Sequence, residues 1–535
     1  SAASDVYKRQ LMNSSIKLLD CTLRDGGYIN NWDFGFQVIC NVIRKMVEAE
    51  VDYVEVGFLR NCEYSKDKTL FNNISQLKTV LPKKHGKTKF VAMALHNLYD
   101  INKLEENDGT IDAIRVTFHD YDIDEGLEFI SKAMTKGYKV FCNPINIMGY
   151  SDAELLILLE KINKVHPYAF SIVDTFGSMM ENDLLRIYSL VEHNLDKAIK
   201  IGLHLHENLG LSYSLAQRFI GMKSSERECV IDASLCGMGR VPGNLNIELM
   251  MDYMNRFQGG YYNLSPVYDA INDYIEDLKS IEAWGYSTAY ALSAKYNLHR
   301  NYSEYLLSKG KLRAKDINFI LASIAESKKA AYDKDYIEQL YQKYQNVSVD
   351  DSKSKDAVKE RLQGKEILVL GPGSSLITQR AIICQYIEEN HPFIISVNFV
   401  GSDFCSDLAF FTSRRRYDQY RDELMTNLLV ISSNLTNDVV DPFAIVDYYN
   451  LACDESGLYD NSMIMLLRLL SFIEIRDVTV AGFDGFDKSK PNYAYEKHYK
   501  DNKHTEDENC TISNYIEKFS SKMRIHFLTK TKYKR

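Results

Sequence analysis

From Ile16 to Ser234 the chain repeats one pattern, a short apolar run followed by a stretch of helical periodicity. The runs are Ile16–Asp20, Tyr53–Gly57, Phe90–Leu95, Ala113–Thr117, Lys139–Ile145, Ala169–Asp174, Lys200–His206 and Val230–Ser234. Such short apolar runs suit strands buried on both faces, as in a parallel sheet. Eight βα units in about 220 residues match a (β/α)8 barrel, which typically needs ~250 residues. An open, doubly wound sheet has a similar rhythm. The polar residues decide between the two. Asp25, Glu55, His96, His119, Asn143, Asp174, His204, His206 and Asp232 fall in the C-terminal part of a run or just beyond it. Barrels build their active sites on that face, so the expected fold class is α/β with a TIM barrel.

His204 and His206 are separated by one residue, which points both imidazoles to the same side of a strand. On its own a His-x-His reads equally well as two ordinary pocket or core histidines. Near the start of the chain, Asp20, Thr22, Arg24 and Asp25 gather at the end of the first run, and Gly26 and Gly27 let the chain turn. Asp25 with His204 and His206 supplies a carboxylate and two imidazoles, a set that holds one divalent ion and leaves positions open for substrate. Bracing roles are open as well. Glu55 can steady a neighbouring strand through Arg24, Asp174 can cap the turn after it, and Asp232 can hold a loop.

Asp20-Cys-Thr-Leu-Arg-Asp-Gly26, the His-x-His and Asp232-Ala-Ser-Leu-Cys-Gly-Met-Gly239 together resemble the DRE-TIM metallolyases. The resemblance covers about residues 14–345 and is strongest to the 4-hydroxy-2-oxovalerate aldolases. It implies a metal-dependent aldolase, a carbon–carbon lyase that acts on a 2-oxo acid through a pyruvate enolate. It implies metal ligation by Asp25, His204 and His206, with Asn244 of Pro242-Gly-Asn244 as a further ligand. Mn2+ is the expected ion, with Mg2+ and Zn2+ as the other choices. By the same resemblance Arg24 hydrogen-bonds the enolate oxygen, and Asp20, Thr22, Glu55, Asp174 and Asp232 surround the substrate. The chain departs from the family in one place. A histidine shortly after Arg-Asp-Gly is replaced by Tyr28, and tyrosine, with a pKa near ~10, is a poorer base at neutral pH. The candidates for the base are Tyr28, His119 and Tyr286, the last in a segment, Trp284–Tyr290, similar to the family's post-barrel tyrosine motif. Two other readings compete. One is a non-catalytic or regulatory barrel fused to a nucleotide-sugar-binding domain, and the other is an acyl-CoA condensing enzyme of the same superfamily.

The barrel is assigned to residues 12–263 and a helical extension rich in tyrosine to 264–345. Residues 346–364, polar and charged, read as a linker. A Rossmann-like α/β domain is expected over 365–535, opening with a strand, a Gly-rich loop and a helix in Glu366–Ser375. Further strands are expected at Phe393–Asn398, Leu428–Ser432 and Val478–Gly482. Backbone N–H groups of such a loop can cradle a phosphate, which makes Gly371, Gly373, Ser374 and Ser375 the candidate nucleotide-binding residues. More distantly, through Gly371, Gly373, Ser374, Asn398, Gly482 and Asp484, this part is similar to domains of motility-accessory-factor proteins and some bacterial sialyltransferases. That likeness implies a nucleotide or nucleotide-sugar ligand and a role in sugar or surface-glycan biosynthesis. An inert dimerisation module is the alternative. Arg414–Arg416 reads as a solvated basic turn.

The net charge of −9 argues against a nucleic-acid partner. No apolar run approaches the roughly 18–20 residues that span a bilayer. The ten cysteines are scattered with no C-x-x-C pair, as reduced thiols are. Ser1–Gln10 lacks the apolar core of a signal peptide, and Met12 reads as the native start. A cytoplasmic homo-oligomer is the expectation.

Overall fold

The computed structural model describes residues 16–401, 403–424, 428–452, 460–487, 491–495 and 506–533. The stretch Ser1–Gln10 and the start at Met12 lie outside the described residues. The chain forms two compact units. One runs through Asn301 and takes in Ala325–Tyr332, and the other comprises Tyr302–Ile324 and the chain from Asp333 onward.

The first unit is a closed parallel barrel. Its strands are β1 (Ile16–Asp20), β2 (Tyr53–Leu59), β3 (Leu70–Phe71), β4 (Lys89–Leu95), β5 (Ala113–Phe118), β6 (Lys139–Pro144), β7 (Ala169–Asp174), β8 (Lys200–Leu205) and β9 (Cys229–Ala233). They pair in the order β1-β9-β8-β7-β6-β5-β4-β2, and β1 pairs with β2 to close the ring. The two-residue strand β3 adds to β2 and had no counterpart in the apolar pattern.

Alternation along the strands builds the interior. Leu19, Tyr53, Val91, Ala113, Phe141, Ala169 and Val230 point inward and form their own apolar floor. Residues out of phase with them, such as Leu18, Val54, Ile114 and Val140, pack outward into a separate core. Two residues further along, the same inward phase carries Glu55, Arg115, Asn143 and Asp232 in place of apolar side chains, all of them buried. The outer helices are amphipathic. In Phe36–Glu48 the buried positions are Ile39, Val42, Ile43 and Met46, one face at helical spacing. Each such side chain contributes roughly 1.5–3 kcal/mol by leaving water.

The second unit holds seven parallel strands: β10 (Ile367–Leu370), β11 (Phe393–Val397), β12 (Leu408–Phe411), β13 (Leu428–Ser432), β14 (Ala444–Val446), β15 (Asp477–Ala481) and β16 (Arg524–Phe527). Their order is β14-β13-β12-β11-β10-β15-β16, so the chain winds outward from β10 and then crosses back to β15. Two apolar clusters line this sheet. The sequence reading missed β12, β14 and β16. β12 and β14 are apolar but only four and three residues long, and the four residues of β16 alternate exposed and half-buried.

Three expectations about this half of the chain change. The stretch read as a linker contains a helix, Ser352–Leu362, that buries Val358 and Leu362 one turn apart. Polar composition hid those two positions. The helical segment 264–345 divides after Asn301, because its later part is tied to the second sheet's unit. Lys311 donates to the Asp460 carbonyl, the Tyr341 hydroxyl to the Asp460 carboxylate, and Arg313 to Asp418 and Asp438. Arg414 and Arg416 are buried in a helix, Arg414–Tyr420, and do not form a solvated turn. Arg414 Nε donates to Asp438 Oδ2 at 2.7 Å. Among the described residues no helix is long and apolar enough to cross a membrane.

Candidate metal centre and active site

Asp25, His204 and His206 meet at the C-terminal end of the barrel. One ligand atom from each lies within 4.8 Å of the others, and all three side chains are buried. The short helix Thr22–Asp25, directly after β1, carries the carboxylate, and the end of β8 carries the two imidazoles. His206 Nδ1 donates to the Asp174 carbonyl at 2.9 Å, which fixes that nitrogen as the protonated one. Its Nε2 is buried without a hydrogen-bond partner and stands 3.6 Å from Asp25 Oδ2. His204 Nδ1 donates to Asp232 Oδ2 at 3.0 Å, again leaving Nε2 for a ligand bond. Burial, against the pull of Asp232, lowers the His204 pKa and favours the neutral ring that a metal needs.

Asp25 is held ionised. Burial opposes its charge, but Arg24, His206 and His204 outweigh that and keep its pKa well below the carboxylate range. Asn244 sits beside His206 across an isolated bridge, and its Nδ2 donates to Asp25 Oδ2 at 2.7 Å. Its Oδ1 is buried without a partner. Gly239 permits this closeness, since a Cβ there would lie 2.3 Å from Asn244 Nδ2 and 2.9 Å from Asp25 Oδ2. An orphaned imidazole nitrogen, an orphaned amide oxygen and an ionised carboxylate around one point fit a divalent cation.

Beneath the ligands runs a charged layer. Arg24 Nε donates to Glu55 Oε2 at 2.7 Å, and Nη1 donates to Asp25 Oδ1. Arg115 Nη1 donates to the same Glu55 oxygen at 3.0 Å, and Nη2 to Asp232 Oδ2. Arg115 was missed in the sequence, where the only signal is one charge inside the apolar run Ala113–Thr117. It links Glu55 to Asp232 and, through Asp232, orients His204.

Residues 15–272 match the HMGL-like family model. The DRE-TIM metallolyase expectation stands for that stretch, whose family comprises divalent-metal-dependent lyases and aldolases. The chain is 24% identical over 256 residues to a 4-hydroxy-2-oxovalerate aldolase of Marinomonas sp. (strain MWYL1), covering 46% of this chain and 73% of that protein. It is 23% identical over 250 residues to the enzyme of the same name from Pseudoalteromonas translucida (strain TAC 125), covering 46% and 71%. Among solved structures, the N-terminal domain of a candidate aldolase from Bacteroides vulgatus is 28% identical with a TM-score of 0.48, covering 55% of this chain and 96% of that one.

In the HMGL-like barrel the five residues read as substrate contacts are turned to bracing. Asp20 and Thr22 are fully buried. The Thr22 hydroxyl donates to Asp20 Oδ1 at 2.5 Å and accepts from Leu235 N–H at 2.8 Å, which joins the loops after β1 and β9. The Asp174 carboxylate accepts from Ser178 and Met179 N–H at 2.9 and 3.1 Å and holds its own turn. Glu55 and Asp232 belong to the charged layer. Once strand ends are packed, their polar groups satisfy each other before a ligand arrives.

The candidate bases are placed differently from one another. Tyr28 is 41% exposed, with its ring 4.8 Å from Trp32 and under the Arg240 guanidinium at 5.8 Å. Tyr286 is 64% exposed on the surface. His119 is half-buried. Its ring stacks on Tyr121 at 4.7 Å, and Nδ1 lies 3.5 Å from Asp122 Oδ2. Asp122 also accepts from His119 N–H at 2.5 Å and pairs with His96 Nε2 at 2.8 Å. The sequence reading passed over Asp122 and over His299, Arg240 and Arg300.

In the second unit a cavity of about 770 Å³ opens at the carboxyl ends of β10, β11 and β15. The Gly-rich loop lines it but does not offer it a phosphate cradle. Gly371 N–H donates to Ala481, Gly373 N–H to Gly482 and Ser374 N–H to Asn492, at 2.8 to 3.0 Å. Ser375 N–H and its hydroxyl donate to Asp484 at 2.7 and 2.5 Å. The donors assigned to a nucleotide at Gly371, Gly373, Ser374 and Ser375 are thus taken by the chain's own acceptors. Both glycines serve close loop packing, since a Cβ on either would lie 2.6 Å from the Gly482 carbonyl oxygen.

Proposed function

We propose that the barrel is an aldolase that cleaves, or forms, the C3–C4 bond of a 4-hydroxy-2-oxo acid with pyruvate as the enolate-forming half. The convergence of Asp25, His204 and His206 beside Arg24 carries this reading. A divalent ion held by Asp25, His204 and His206, with Asn244 Oδ1 as a further donor, would supply Lewis-acid polarisation of the 2-oxo group, and this donor set suits Mn2+, with Mg2+ and Zn2+ as alternatives. Arg24 is locked by Glu55 and Asp25, and its Nη2 has no hydrogen-bond partner among the described residues. It can therefore present a fixed pair of donors to the keto oxygen as negative charge grows there. His119, steadied by Asp122, takes the proton of the C4 hydroxyl as the carbonyl of the aldehyde forms. The bond's electron pair stays with the pyruvate half, and a proton delivered to C3 completes the cycle.

The test needs no aldehyde. Full-length protein with added Mn2+ or Mg2+ should exchange the methyl protons of pyruvate for solvent deuterium, and a chelator should stop the exchange. Protein that holds stoichiometric metal and shows no exchange would favour the regulatory barrel, while exchange that requires an acyl-CoA would favour the condensing enzyme.

For the second unit we propose a nucleotide or nucleotide-sugar ligand at the β10/β15 switch point, the crevice where open α/β sheets bind ligands. The cavity there is lined by Lys334 and Arg416, cations that suit phosphate oxygens, and by Lys309 and Lys311, which pair with Glu338 and Asp460. Together the two halves suggest a role in keto-sugar or surface-glycan synthesis. Calorimetric titration of the full chain with nucleotides and CMP- or UDP-sugars tests it, and no heat from any of them leaves the dimerisation module.

A further inference from the structure

Asp122 opens the helix Ile123–Thr135, a place where aspartate ordinarily accepts from a backbone N–H two or three residues on. Its side chain makes no such cap. It turns back toward the ends of two neighbouring strands instead. Oδ1 accepts from the His119 N–H, and Oδ2 accepts from His96 Nε2 at 2.8 Å. His96 and His119 directly follow β4 and β5, which pair with Leu95 beside Thr117. His119 Nδ1 is buried without a hydrogen-bond partner and lies 3.5 Å from the same Asp122 Oδ2. Securing the loop after β5 needs only Oδ1, so Oδ2 is turned to the two rings. The His119 side chain is 32% exposed although its Nδ1 is buried, which makes the edge with Nε2 the open one.

A carboxylate oxygen has two lone pairs and can accept from both imidazoles at once. With Asp122 pinned by His96, a proton on His119 Nδ1 finds a buried acceptor, and the lone pair is left on Nε2. Catalytic hydrogen bonds are often long before substrate binds, as the 3.5 Å separation is here.

We infer that His96 is a positioning residue for proton transfer, which through Asp122 holds His119 in the tautomer whose Nε2 accepts the C4 hydroxyl proton. The use of this unit in catalysis rests on the aldolase reading of the barrel. The tautomer itself does not. In the step, the Nε2 lone pair takes the proton and the O–H electrons become the second bond of the aldehyde carbonyl. The C3–C4 pair passes to the pyruvate enolate, and the imidazolium that forms is balanced by Asp122.

The first measurement is nitrogen NMR of the full-length protein, with the His119 ring signals identified by their loss in His119→Gln. At pH ~8, where an ordinary imidazole is neutral, the wild type should carry its proton on Nδ1. His96→Ala should lose that preference, and His96→Gln, which can return an N–H to Asp122, should keep it. The second measurement is aldol addition of pyruvate to the fastest of acetaldehyde, glyceraldehyde and glyceraldehyde 3-phosphate. His96→Ala should lower kcat ~10- to 100-fold at nearly constant KM, a part of the ~10²–10⁴ that a general base contributes. His96→Gln should recover most of it. A wild-type ring protonated on Nε2, a rate unchanged in His96→Ala, or a loss that His96→Gln does not recover overturns the inference. Absence of pyruvate deuterium exchange in the wild-type chain would instead mark failure of the aldolase reading. The tautomer then decides alone: Nδ1 protonation that His96→Ala abolishes and His96→Gln keeps supports the unit, and any other pattern overturns it.

Discussion

Arg24 Nε and Glu55 Oε2 lie 2.7 Å apart inside the barrel, where both side chains are almost wholly shielded from water. This pair ties the residue proposed to face the reacting oxygen to a layer of charge that includes Arg115 and Asp232. Burial opposes the Arg24 charge, yet Glu55 and Asp25 hold its pKa well above the ordinary value, so the guanidinium stays protonated. The catalytic geometry is therefore part of the barrel's packing.

Arg24 substitutions should separate charge from geometry. Arg24→Lys keeps a cation among the carboxylates but loses the fork, and pyruvate exchange should fall by ~10²-fold or more with the fold intact. Arg24→Ala should in addition lose ~3–5 kcal/mol of stability, because Glu55 and Asp25 are left without it. Exchange rates and urea titrations measure the two effects. A lysine variant with near-normal exchange would make the arginine a purely structural residue.

Metal binding should stabilise the native chain. At a free Mn2+ concentration ~100 times Kd the gain is about 2.7 kcal/mol, visible as a rise in melting temperature. His206→Gln and Asp25→Asn should abolish the rise and the stoichiometric metal found on elemental analysis. A full rise in both variants would place the ion elsewhere.

Arg115→Met should cost ~3–5 kcal/mol, because it removes a buried cation that Glu55 and Asp232 share and leaves Glu55 with Arg24 alone and Asp232 with the neutral His204 ring. Glu55→Gln in the same chain should restore part of the loss. Equal stability of the single and double variants, from chemical denaturation, would show that the charges do not couple.

Asp20 sets a pH dependence. Burial, with smaller contributions from Glu55 and Glu248, outweighs the Thr22 hydrogen bonds and raises its pKa from 3.8 to about 7. The folded state therefore binds this proton more tightly than the unfolded chain. Its stabilising share is complete below pH ~4 and is lost as pH rises through about 7, roughly 4 kcal/mol in all. Asp20→Asn should flatten the stability profile over that window, measured in chelator, and be the more stable protein at pH 8. Parallel profiles for the two proteins would refute it.

What the sequence by itself determined is whatever depends on near neighbours along the chain. Strand periodicity is two residues, so His204 and His206 share a side in any fold that makes β8 a strand. The spacing of apolar runs likewise marked the eight barrel strands to within two residues at each end. Asp25 joined the histidines because all three follow the rule that sites lie at strand C-termini. Only the tertiary structure decided which polar groups are already satisfied. Asp484, more than a hundred residues beyond Ser375, takes the donors that the Gly-rich loop seemed to offer a phosphate. Arg115 meets Asp232 across 117 residues of sequence, and Arg240 meets His299 across 59. Such pairings depend on the order of strands in the sheet and the path of the loops above it, and no local pattern records either.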